Sequence, residues 1–143
     1  MNQGYNVYKT ANVETADKGK LIIICYDVAI KHGNIALDME PHADLEAWVK
    51  HIYKMQDAIN ELLSALNMDV GEISTNLFRL YEYMLHKLTE SVVQVDKGHV
   101  KEVMGYLDEL RGAWKVAVQN VKLGRGGPTA QPQERKATLS ING

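Results

Sequence analysis

Five histidines and one cysteine are the side chains of this 143-residue sequence best suited to chemistry, and their spacing decides what they could do. A carboxylate-bridged metal centre in a helical bundle needs inward-facing Glu residues and Glu-x-x-His pairs on two helices. No Glu-x-x-His occurs; Glu82 and His86 stand four apart, on a face that points away from the apolar stripe of their segment, which reads as a solvated face. His51-Ile52-Tyr53-Lys54 has the histidine-to-lysine spacing of a phosphoacceptor helix. Its neighbours are unsuited, with Lys50 where a small residue would precede the histidine and Met55 where glycine would follow the lysine. The helical wheel also sets His51 at the border of the apolar seam instead of the crown of the exposed face. Cys25 has no second cysteine, so neither an internal disulfide nor a Cys-pair metal or redox site is available. No Ser, Cys or Asp nucleophile has a recognisable base, and Gly124, Gly126 and Gly127 have no strand before them to make a phosphate loop. The expectation is a protein without catalytic residues, metal or cofactor, whose work is done by surface.

That surface belongs to helices. Between Asp17 and Met39 the sequence writes a helix that is apolar almost all the way round. At 100° per residue Leu21, Ile24, Val28, Ile35 and Met39 line one seam, and Ile23, Tyr26, Ile30, Gly33 and Leu37 line a second. Ile22, Cys25, Ala29 and Ala36 bridge them, which leaves Lys20, Asp27, Lys31, Asn34 and Asp38 as a narrow stripe for water. Such a helix is buried on several sides. Few other elements exist to cover it, so a partner is expected. Asp27 and Lys31, one turn apart, can form an exposed pair contributing about 0.2–0.5 kcal/mol.

Three amphipathic segments follow. Leu45, Trp48, Ile52, Met55, Ile59, Leu62 and Leu66 step by three and four; Ile73, Leu77, Leu80, Met84, Leu88 and Val95 form a second stripe; Val100, Val103, Leu107, Leu110, Trp114, Ala117 and Val121 form a third. Pro41, Pro128 and Pro132 all fall outside these segments. Breaks at Glu40–Ala43, Asn67–Gly71 and Asp96–Gly98 are short enough to make consecutive helices antiparallel neighbours. The predicted fold is all-α, an antiparallel up-down-up-down four-helix bundle over residues 17–123, with an N-terminal arm (1–16) and a disordered C-terminal tail (124–143). Asp17, Asp44 and Asp69 are the expected helix caps. Trp48 and Trp114 lie on the seams and read as core, whereas Gly105 and Gly112 lie opposite the Trp114 seam. Tyr5 and Tyr8 in the arm pair an apolar ring with a hydroxyl that stays wet, which suits a reversible cover for an apolar groove.

A formal net charge of −2 without a basic stripe argues against nucleic acid as a partner. Met1 to Thr10 lack the basic start and apolar run of a signal peptide. The longest apolar run, Leu21 to Tyr26, is far short of the ~20 residues that cross a bilayer, so no membrane insertion is expected. The single cysteine fits a reducing, cytoplasmic location.

Asn76-Leu77-Phe78-Arg79-Leu80-Tyr81-Glu82-Tyr83-Met84-Leu85-His86-Lys87-Leu88, followed by Leu110-Arg111-Gly112-Ala113-Trp114, resembles the motifs of the flagellin export chaperones, the FliS family. Gly71-Glu72-Ile73, the Tyr-Asp-x-Ala-Ile run from Tyr26 to Ile30 and the pair Tyr5 and Tyr8 fit as well, so the resemblance runs from about Tyr5 to Val121. The chain departs from the family at Asp17-Lys18, where Ser-Pro is usual, and at Val28, where the family tends to have glycine. The resemblance implies a cytoplasmic bundle that binds the disordered C-terminal segment of flagellin, prevents premature polymerisation and hands the client to the flagellar type III export apparatus. Export-gate components and flagellar regulators are further partners that it leaves open. It also implies that the arm covers an apolar site in the free protein. The expected client-binding residues are Tyr5 and Tyr8 as displaceable cover and Ile23, Tyr26, Ile30 and Leu37 as groove wall. The alternatives are a histidine phosphotransfer module using His51 and a helical assembly adaptor.

Overall fold

The computed structural model describes residues 15–122, which form four helices and no strand: α1 (Thr15–Asp38), α2 (Leu45–Ser64), α3 (Glu72–Gln94) and α4 (Lys97–Lys122). A one-turn 3-10 helix, Met68–Val70, precedes α3. The arm tyrosines Tyr5 and Tyr8 and the whole of the tail 124–143 lie outside the described residues.

The helix ends follow from local hydrogen bonding. Asp44 caps α2 as expected, its carboxylate accepting from the Ala47 N–H at 3.1 Å. Asp69 does not cap α3: the chain first makes the 3-10 turn, so Asp69 sits inside it and donates its own N–H to the Asn67 side chain at 3.0 Å. Gly71 then starts α3 at φ +101°, a conformation that suits a residue without a Cβ, and no side chain caps that end. Asp17 lies within the first turn of α1, because that helix begins two residues earlier, at Thr15. Between α3 and α4 only Val95 and Asp96 remain outside helix, since the Asp96 carboxylate accepts from the Gly98 N–H at 2.8 Å and brings Gly98 into α4. Val95 closes α3 at φ +53°, left-handed and unusual for a β-branched residue.

The C-terminal end of α1 is held by its neighbours. The Trp48 indole donates to the Ala36 carbonyl at 3.2 Å, and Lys97 Nζ donates to the carbonyls of Leu37 and Met39, both at 3.0 Å. A cation there satisfies orphan acceptors and opposes the negative end of the helix dipole.

α1 packs against α2 and α4, and α3 packs against the same two helices. The shared core is built from Trp48, Ile52, Met55 and Ile59 of α2, Tyr81, Met84 and Leu88 of α3, and Val100, Val103 and Leu107 of α4. The buried face of α1 runs along Ile22, Cys25, Tyr26, Ala29, Gly33 and Ala36. Its small residues let the backbone come close: a Cβ on Gly19 would lie 2.7 Å from Val118 Cγ2, and one on Gly33 would lie 2.2 Å from Met104 Sδ. Lys20, Asp27, Lys31, Asn34 and Asp38 are all exposed, which matches the predicted polar stripe.

Candidate functional site

Three stretches far apart in sequence meet at one level of the bundle. Tyr26 of α1 and Tyr81 of α3 touch hydroxyl to hydroxyl at 2.6 Å, with 0% and 1% of their surfaces exposed. Burial pushes both phenols up, well above the ordinary tyrosine value. The charged form of each is disfavoured in a dry interior. Trp114 of α4 acts on both phenols in the opposite, weaker direction. One residue on, Asp27 pairs with Arg111 of α4 instead of the expected Lys31. The Tyr-Asp pair of α1, the α3 tyrosine and the Arg-Gly-Ala-Trp run of α4 therefore fasten three helices together.

This arrangement sets an alkaline limit on the fold. Above about pH 10 the unfolded chain sheds phenolic protons that the native pair retains. The stability held below that pH is lost as pH rises towards the raised native values, by up to about 1.4 kcal/mol per pH unit for each phenol. Urea unfolding at pH 9, 10 and 11 should show a steeper loss for the native sequence than for the Tyr26→Phe/Tyr81→Phe double variant. Equal slopes would remove the buried pair as the cause.

The residues expected to form the groove wall divide into two groups. Ile23, Ile30 and Leu37 are half-buried and keep part of their surface free. Tyr26 is enclosed with its hydroxyl engaged, so it lies beneath the surface as a support. Along the other seam Ile24 is 43% exposed, Val28, Ile35 and Met39 are half-buried, and Leu21 is buried. Beyond Gly105 and Gly112 there is open space.

Two polar constellations were not anticipated. On the α3–α4 face Tyr83 donates to Glu102 Oε2 at 2.6 Å, and Tyr106 reaches the same oxygen at 3.5 Å. Lys87 lies 3.4 Å from Glu90 and 4.0 Å from Glu102, with His86 and His99 also near Glu90. His86 thus faces Glu90 one turn on, and Glu82 is exposed. On the α1–α2 face His32 meets His51. Wheel phase places each residue on a flank of its own seam, but which flanks face one another is decided only by packing. Among the described residues no group of three or more His, Cys, Asp or Glu is placed to hold a metal ion. No described helix is long and apolar enough to cross a membrane.

Residues 1–121 match the family model described as flagellar protein FliS. The flagellar secretion chaperone FliS of Bacillus subtilis (strain 168) is 32% identical over 123 residues, covering 86% of this chain and 92% of that protein. The flagellar secretion chaperone FliS of Salmonella typhimurium is 39% identical over 57 residues, covering 39% of this chain and 42% of that protein.

Proposed function

The chain belongs to the FliS family of flagellar proteins, and from that premise we propose that it is a cytoplasmic, non-enzymatic chaperone for the disordered C-terminal segment of flagellin. Its task is to keep that segment from polymerising early and to deliver it to the flagellar type III export apparatus. The observation that carries this reading is the apolar surface left on α1 after four helices have packed: Ile23, Ile24, Val28, Ile30, Ile35 and Leu37 all retain exposure. An amphipathic segment laid in a groove is one way to finish covering it. Ile23, Ile30 and Leu37 form the groove wall, Tyr26 supports it from below, and the arm tyrosines Tyr5 and Tyr8 are the cover that the client displaces.

The energetics suit a client that folds as it binds. Burying an extra ~400 Å² of apolar surface at ~25 cal/mol per Å² yields about 10 kcal/mol before costs. Ordering the segment takes back several kcal/mol, and desolvation takes more. What remains is compatible with micromolar or tighter binding.

The helices run up and down, each antiparallel to the next. Support comes from residue order at the contacts of α1. Gly19 faces Val118, Asp27 faces Arg111, Gly33 faces Met104 and Leu37 faces Lys97, one series rising as the other falls. His32 with His51 and Ala36 with Trp48 repeat that order against α2.

Calorimetric titration of the full chain with a synthetic flagellin C-terminal peptide tests the reading. Saturable binding with a negative heat-capacity change is expected, because apolar burial leaves that mark. A folded protein that ignores the peptide would be an adaptor for some other partner. His51 is half-buried with Nδ1 engaged by His32, so no observation favours phosphotransfer.

A further inference from the structure

The contact between α1 and α2 contains a histidine pair for which client binding has no evident use. His32 Nδ1 and His51 Nδ1 are 3.0 Å apart, with ring centroids 5.2 Å apart and planes tilted by 32°. Both residues are half-buried. At this distance one Nδ1 donates and the other accepts, so the contact needs at least one ring to be neutral. Full protonation of both rings sets two N–H donors and two positive charges against each other. The other charged groups that weigh on His32 are Lys31 from its own helix and Lys54 from α2; no carboxylate is among them. Burial first, then His51, then these lysines hold His32 below the ordinary histidine value. The same lysines disfavour a metal cation between the rings, and among the described residues no cluster of three ligands forms.

We infer that His32 and His51 form a proton-operated latch that holds α1 to α2 while at least one ring is neutral and releases the contact when both are charged. The sign follows from the reluctance of the native pair to accept its second proton. Unfolded histidines protonate near pH 6.5. Stability is therefore fully present above that value and is lost as pH falls through it. Each proton withheld by the native state raises the unfolding constant by up to tenfold per pH unit.

The latch is independent of the client and is tested on the full chain alone, in chelator-treated buffer. Urea unfolding at pH 7.5, 6.5 and 5.5 is compared among the native sequence, His32→Gln and His51→Gln. Between pH 6.5 and 5.5 the native unfolding constant should rise by up to about five-fold more than that of either variant. NMR titration of the unmodified protein needs no variant: two histidines should titrate in separated steps, one of them below the ordinary histidine value. Hydrogen exchange, corrected for intrinsic rate, should show protection around residues 32 and 51 falling at pH 5.5 ahead of α3 and α4. Both histidines titrating together near pH 6.5, equal slopes in all three proteins, or a uniform loss of protection would each overturn the latch.

Discussion

Gly33→Leu is expected to destabilise the fold by about 3 kcal/mol or more, near the upper end of what overpacking a core costs. Gly33 is buried where α1 crosses α4, and the position of a first side-chain atom is already taken by Met104 Sδ at 2.2 Å and Met55 Cε at 3.0 Å. A single methyl can be met by two flexible methionine ends turning aside, while alanine also improves helix propensity by about 1 kcal/mol. Gly33→Ala should therefore stay within about 1 kcal/mol of the native protein. Leucine has no such exit, since three more heavy atoms must push α1 from α4 along their whole contact. Thermal unfolding should register the leucine variant about 10–15 °C lower, at roughly 4 °C per kcal/mol for a domain of this size. Gly112→Ala is the contrast: nothing lies within 4 Å of its Cβ position, so the propensity gain is unopposed and stability should rise by about 0.5–1 kcal/mol. A leucine variant as stable as the native protein would mean that α1 does not approach α4 closely at Gly33.

Local rules read well in this chain and long-range ones do not. Three apolar stripes at helical spacing gave α2, α3 and α4, and the short breaks between them gave their ends to within a few residues. Asp44 was legible as a cap because nothing competes with it, whereas Asp69 was not, because Asn67 two residues earlier makes its own turn. On α1 the wheel weighted bulky residues and treated Ile22, Cys25, Ala29 and Ala36 as a bridge between two seams. In the packed bundle that bridge is the middle of the buried face. Small side chains bury little area, yet they mark where two helix axes come closest. The site pairs were hidden for a different reason. Tyr26 with Tyr81 and Asp27 with Arg111 are 55 and 84 residues apart, and no periodicity within one helix reports which flank of another will face it. The family motifs named most of these residues without saying that they touch.

Replacing both Ile23 and Ile30 by Asp is expected to weaken binding of the flagellin C-terminal peptide by 100-fold or more. Each isoleucine is half-buried, so the client can cover only the remaining part, worth about 1 kcal/mol apiece on the scale of a fully buried aliphatic side chain. The larger effect is the carboxylate, which must lose its water without a paired cation when the client closes over it. Two such sites exceed the 2.7 kcal/mol that a hundredfold change requires. Because Ile30 also packs against the core and Ile23 is half-buried, far-UV circular dichroism and urea unfolding must first establish that the double variant folds. Ile24→Asp/Val28→Asp is the matched comparison, with the same charge change on the other seam of the same helix. If the peptide lies along Ile23, Ile30 and Leu37, only the first pair abolishes binding. If the second pair does so and the first does not, the client occupies the opposite seam. Loss in neither folded variant would take α1 out of the binding site altogether, and the apolar surplus on that helix would then require another occupant.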